Sequence, residues 1–163
     1  MDLFDPIGDG EWTRVDPALT KLRRITAVLP LLVSALIPAV VAALIPDLKW
    51  IPGIVAVGLL AGAVWVWFWA DRNRRSWGYA EQQEELLITS GVWFRRLVAI
   101  PYGRMQFVDV QAGPIQQWLG LASVTLHTAS TETAATIPGV PIEEAARLRN
   151  RLTELGESRG AGV

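Results

Sequence analysis

The only histidine is His127, and a lone imidazole does acid–base work only when a carboxylate or nucleophile is fixed beside it. No motif supplies one. Alternation along residues 121–129 sets Val124 and Leu126 against Ser123, Thr125 and His127, which puts the histidine on the more polar face of a strand, in a structural role. The two carboxylate pairs, Glu84-Glu85 and Glu143-Glu144, consist of neighbours that point to different sides of their element, so neither is an acid/base couple. There is no Gly-x-x-x-x-Gly-Lys, no Gly-x-Ser-x-Gly and no metal-ligand spacing; these would mark phosphate cradles, serine nucleophiles and metal centres. With no cysteine, disulfides, thiolate metal sites and a cysteine nucleophile are excluded, in keeping with a reducing compartment. The chain therefore reads as a non-enzyme, with no catalytic residue, cofactor, metal or small-molecule substrate implied.

The remaining chemistry is cationic. Arg72, Arg74 and Arg75 form one basic stretch, and Arg95, Arg96 and Arg104 follow in the region of short strands. If the latter three share a sheet edge near the former, they make a contact surface for anionic lipid headgroups or a protein partner. The alternative is a solvated edge whose charge prevents strand pairing. A formal net charge of −1 gives no global field for nucleic acid.

Two long apolar runs must position these groups. Residues 25–45 and 51–70 carry no charge, and about 20 residues at about 1.5 Å each cover the hydrocarbon layer of a bilayer. Buried helices of a soluble protein rarely run so far without a charge and would need a larger shell than this chain offers. Pro30 and Pro38 lie inside the first run; in lipid, such a helix is retained with a kink. Gly58 and Gly62 form a Gly-x-x-x-Gly pair in the second run, and Ser34, Ala35, Ala39 and Ala42 are small residues in the first. Either packing within the hairpin or homodimerisation uses such a pattern. Trp65, Trp67 and Trp69 at one end of the second run and Trp50 at the other suit a membrane-interface belt, with an aromatic ligand cage as the less economical alternative. Arg14, Lys21, Arg23 and Arg24 precede the first run and Arg72, Arg74 and Arg75 follow the second, against Lys49 alone between them, so both termini are expected on the cytoplasmic side. The acidic opening residues and the late start of the first run argue against a cleaved signal peptide.

Beyond Arg75 the pattern changes to short alternating segments separated by turn residues. Residues 85–89 read as a strand, Ser90-Gly91 as a tight turn and 92–100 as its return. A third strand spans 106–111, with its core face undecided between Gln106, Val108, Val110 and Phe107, Asp109, Gln111. A helical turn at 115–119 and strands at 121–129 and 133–137 follow, the loop lengths favouring antiparallel pairing. Pro141 opens a final helix with an apolar stripe at Ala146, Leu148, Leu152 and Leu155 until Gly156 stops it.

The runs Leu86-Leu87-Ile88-Thr89-Ser90-Gly91-Val92, Ile100-Pro101-Tyr102-Gly103-Arg104-Met105-Gln106-Phe107-Val108, Gly113-Pro114-Ile115-Gln116-Gln117-Trp118-Leu119-Gly120-Leu121-Ala122, Ile137-Pro138-Gly139-Val140 and Glu143-Glu144-Ala145, with Trp12-Thr13-Arg14-Val15-Asp16-Pro17 upstream, resemble in their order the bacterial pleckstrin-homology-like membrane proteins, the YdbS-like family. The resemblance implies an α+β fold: a two-helix transmembrane hairpin followed by a PH-like domain, a bent, mostly antiparallel sheet of about seven strands capped by a C-terminal helix. Eukaryotic relatives that bind phosphoinositides carry basic residues on and beside a long first hairpin loop; in this sequence that loop corresponds to Ser90-Gly91, with Arg95 and Arg96 further along. The expected organisation is a cytoplasmic juxtamembrane segment at 1–24, transmembrane helices at 25–45 and 51–70 with an extracytoplasmic turn at 46–50, a cytoplasmic PH-like domain at 76–156 and a flexible tail at 157–163. The expected address is the cell membrane, as a multi-pass protein. Expected partners are membrane lipids and either another protein or a second copy of the chain, with no nucleic acid.

Overall fold

A computed structural model describes residues 12–45, 50–128 and 135–160. The elements run β1 Thr13–Arg14, α1 Ala18–Leu44, α2 Trp50–Arg75, β2 Gly78–Glu81, β3 Glu85–Ser90, β4 Arg96–Pro101, a 3-10 turn Tyr102–Arg104, β5 Met105–Gln111, α3 Pro114–Trp118, β6 Leu121–Thr128, β7 Ala135–Pro141 and α4 Ile142–Gly160. They divide into two compact units, Thr20–Arg72 and the remainder.

The remainder is the β-rich unit. Among the described residues, seven strands form two antiparallel sheets, ordered β1-β2-β3-β4 and β5-β6-β7, which agrees with the expected count of about seven. Two of the seven were hidden in the sequence: β1 has only two residues, and β2 is nearly all buried, so it lacks alternation. Because β1 pairs with β2, Thr13 opposite Tyr79 and Arg14 opposite Gly78, the first antiparallel pair is interrupted by the whole of α1 and α2. The chain's first antiparallel pair is therefore joined through the two helices, the second is β2–β3, and Ser90-Gly91 belongs to the third, β3–β4.

Alternation decides which faces are buried. In β6, Leu121, Ala122, Val124 and Leu126 are buried, while Ser123, Thr125 and His127 are half-buried. Val108 and Val110 of β5 pair with Leu126 and Val124, which settles the core face of that strand. Ala145, Leu148 and Leu152 give α4 a buried stripe, and the helix packs across β5, β6, β7 and the 3-10 turn.

Two residues of the family-like motifs fix this unit. Tyr102 is fully buried where β4 turns into β5; its hydroxyl donates to the Gln82 carbonyl at 2.9 Å and its backbone N–H to the Glu84 carbonyl at 3.1 Å. Gly139 has φ +69°, and a Cβ there would lie 2.7 Å from Leu19, a separation only glycine permits. Its carbonyl accepts the Asp16 N–H at 3.0 Å, so β7 holds the segment that leads into α1.

Three expectations need correction. The return strand begins at Arg96, not Val92, because Gly91 adopts φ +108° and Ser90 pairs directly with Arg96; residues 91–95 are therefore a loop. Pro141 ends β7 and the helix starts at Ile142, since extended backbone there still pairs with Leu121. Gly156 does not stop α4, which continues to Gly160; one glycine inside a helix costs only about 1 kcal/mol. Residues 129 and 133–134, at the ends of the expected last two strands, lie outside the described residues, as do 46–49 in the expected turn and 161–163 in the expected tail.

The second unit is the helical pair. Both helices are long and apolar enough to cross a membrane, and α1 is continuous through Pro30 and Pro38. Their large apolar side chains face outward, Ile37, Leu44, Ile51 and Ile54 among them, as suits a lipid solvent. Buried positions recur at seven-residue spacing, Ala56 and Ala63 in α2 and Val28 and Ala35 in α1. These small or β-branched side chains form the inward-facing seam of the helical pair.

Candidate functional site

Strand register gathers charge and aromatic surface at one end of the four-stranded sheet. Gly78 is flanked by Arg14 on β1 and Thr89 on β3, and Ser90 is opposite Arg96 on β4. Crossing the sheet from Arg14 to Arg96 takes three strand spacings, about 14 Å. Arg14 donates from Nη1 to the Arg75 carbonyl at 2.8 Å, which brings the end of α2 to the same place. Between β3 and β4 the loop 91–95 stands out here, with Trp93 80% and Phe94 91% exposed and Arg95 and Arg96 also exposed. A Cβ on Gly91 would sit 1.9 Å from the Phe94 carbonyl oxygen, so the loop has a closed shape that requires glycine at its start.

This end unites Arg74, Arg75, Arg95 and Arg96 of the expected cationic set and adds Arg14. It does not include Arg104, which lies in the 3-10 turn beyond the far end of β4. Six strand residues separate the two positions, about 20 Å of extended chain. Arg72 belongs to the helical unit. Trp93 and Phe94 were missed because bulky aromatics favour strands; the usable signal was a Gly directly before them and two arginines directly after.

Within the helical unit, α2 carries Trp50 at its start and Trp65, Trp67 and Trp69 near its end, all exposed. The nineteen helical steps from Trp50 to Trp69 rise about 28 Å, close to the thickness of the hydrocarbon layer. The Arg24 guanidinium lies 4.0 Å over the Trp67 ring, a cation–π contact. Gly58 and Gly62 are not in the seam: a Cβ on either would meet nothing within 4 Å. Of the two uses left open for them, packing within the hairpin finds no contact at either glycine.

The other titratable residues have structural partners. His127 stacks on Phe107 with ring centroids 4.2 Å apart, on the outer face of the second sheet. Glu144 accepts from Tyr79 Oη at 3.0 Å and from Arg147 Nε at 2.8 Å; Arg147 also bridges to Glu81, as does Arg151 at 3.0 Å. This network ties α4 to β2. The Arg147 hydrogen bonds hold the Glu144 carboxyl below its ordinary range, with Tyr79 helping and burial opposing. Burial, first, and the Glu144 charge push the Tyr79 hydroxyl well above its usual value. Among the described residues, no group of His, Asp or Glu is arranged to hold a metal.

The chain matches the family described as Bacterial PH domain over residues 21–156, a stretch that takes in the apolar helices as well as β2 through most of α4. It is 36% identical over 107 residues to the UPF0699 transmembrane protein YdbS of Bacillus subtilis (strain 168), covering 65% of this chain and 66% of that protein, just under two thirds of its length. No solved structure matches it. The match, the seven antiparallel strands closed by α4 and the two long apolar helices agree in every part, and the chain belongs to the bacterial PH-domain family as a YdbS-like membrane protein.

Proposed function

We propose that this protein is a non-enzymatic, membrane-anchored PH-like module that serves protein binding, scaffolding or self-assembly at the cytoplasmic face. Residues 25–45 and 51–70 are its transmembrane spans, 46–50 the extracytoplasmic turn, and 1–24 and 76–156 the cytoplasmic parts, an orientation supported by the cations that flank the outer ends of the two spans. Confinement to a surface raises the domain's effective concentration toward membrane partners without any new contact. The observation that carries the binding role is the exposure of large apolar side chains on so small a domain: Trp118, 77% exposed at the end of α3, and Phe107 on the second sheet, the residue types that dominate protein contacts. Photocrosslinking in cells from position 118 of the full chain tests it. The expected result is a discrete adduct with a partner or a second copy, lost when Phe107 is changed to serine; a chain that stays monomeric and adduct-free in every growth condition overturns it.

A second reading, recognition of anionic lipid headgroups, is favoured by the convergence of Arg14, Arg75, Arg95 and Arg96 on one sheet end. Spin-labelled phosphatidylglycerol around the reconstituted protein should be immobilised more than labelled phosphatidylcholine. The difference should shrink with salt and on changing Arg95 and Arg96 to alanine, but not on changing Arg104. Equal immobilisation of the two lipids removes this reading.

A further inference from the structure

Among the described residues of the β-rich unit, the loop 91–95 is the one place where two adjacent aromatic side chains are almost wholly uncovered. A closed loop that begins with a left-handed Gly91 is a built presentation of Trp93 and Phe94. Trp and Phe followed by two arginines have the composition of segments that sit at a membrane interface, with apolar rings below the headgroups and cations among the phosphates.

Connectivity says which surface lies in reach. β1 ends and β2 begins at this end of the sheet, and those strand ends are the ones from which the chain leaves for α1 and returns from α2. Between Ala70, the last residue of the second apolar run, and Gly78, the first of β2, there are five residues of helix, rising about 7.5 Å, and then Ser76 and Trp77, so that the three steps from Arg75 to Gly78 extend at most about 11 Å. The sheet end is thus held by its own backbone within about 18 Å of the hydrocarbon boundary, of which the headgroup layer takes about 5–7.5 Å. The aromatic loop shares this end; the fully buried Tyr102 is at the other.

We propose that residues 91–95 are a membrane-inserting loop, in which Trp93 and Phe94 enter the interface of the leaflet that the protein's own helices cross, and Arg95 and Arg96 pair with its anionic headgroups. The occupant is the bilayer itself. This inference rests on the membrane-anchored reading and adds a third point of attachment to the two chain connections.

The absence of cysteine makes the test clean, since one introduced thiol takes one environment-sensitive fluorophore. The full chain would be reconstituted into vesicles of phosphatidylcholine and phosphatidylglycerol as Phe94→Cys, with Arg104→Cys as the far-end control and Val57→Cys as the mid-span control. Quenching by lipids brominated on the acyl chain would then be measured. The expected result is strong quenching at 57, loss of most of the emission with a blue shift at 94, and water-like, unquenched emission at 104. Quenching at 57 but bright, red emission at 94 overturns the insertion while leaving the anchor intact. Blue-shifted emission at 94 that lipid bromines do not quench means that protein, such as a second copy, covers the loop, and overturns the insertion as well. No quenching at 57 overturns the membrane-anchored reading, and the insertion with it.

Discussion

At one end of β4, Tyr102 is sealed from solvent and hydrogen-bonded through both its hydroxyl and its backbone N–H; at the other, Trp93 and Phe94 stand in the open beside two arginines. The strand between them is only six residues long. The same kind of side chain closes the fold at one end and stands uncovered at the other, so a sealed core and an exposed aromatic surface lie at opposite ends of a single strand. Substitutions at the two ends should accordingly fail in different assays.

The largest effect is expected for Tyr102→Ala, which removes a buried ring and leaves the Gln82 carbonyl without its donor. On the order of 3–5 kcal/mol should be lost, measured as a drop in the denaturation midpoint of the detergent-solubilised protein. Gly139→Ala should follow at about 2 kcal/mol, since it combines a left-handed backbone with a clash against Leu19; protease sensitivity near Asp16 reports whether the loss starts where β7 holds the chain. Glu144→Gln should cost about 1 kcal/mol, a modest figure because Arg147 is partly exposed.

The same glutamate sets an acid limb. Its folded-state pKa lies below the unfolded value of about 4.5, so on acidification the unfolded chain takes up the proton first. The stabilisation is therefore complete above pH 4.5 and is lost as pH falls through the lower folded value; unfolding midpoints of wild type and Glu144→Gln should converge there. At the open end of β4, Trp93→Ser with Phe94→Ser should change stability by no more than about 0.5 kcal/mol while altering the protein's behaviour at lipid surfaces; a large loss of stability would erase the contrast between the two ends. Smallest of all, Gly58→Ala and Gly62→Ala should leave the helical pair intact, whereas Ala63→Leu, in the seam, should separate it, as read by crosslinking between α1 and α2.

The parts legible in the sequence were those written as local periodicity. The apolar runs gave α1 and α2, alternation gave β3, β5 and β6, and the stripe through Leu148 and Leu152 gave α4. His127 was placed on the polar face by the same rule, although its stacking on Phe107 was not foreseeable. What escaped depended on partners distant in the chain. Thr13 and Arg14 form a strand only because Gly78 and Tyr79 lie alongside, and no two-residue pattern announces that. The loop 91–95 was hidden because Val92, Trp93 and Phe94 have strand propensity, yet one left-handed glycine outweighs them. Arg104 was grouped with Arg95 and Arg96 on nearness in sequence, and the length of β4 separates them.

The interrupted pair of β1 and β2 also dictates an order of manufacture. The ribosome releases Thr13 and Arg14 first and their partners only after both apolar helices have emerged, so the edge of the first sheet stays open while the helices are being delivered to lipid. A chain whose helices failed to enter side by side would keep β1 away from β2, exposing the backbone of β2 along an unpaired edge that invites aggregation or proteolysis. Completion of that edge therefore waits until both apolar helices have been made.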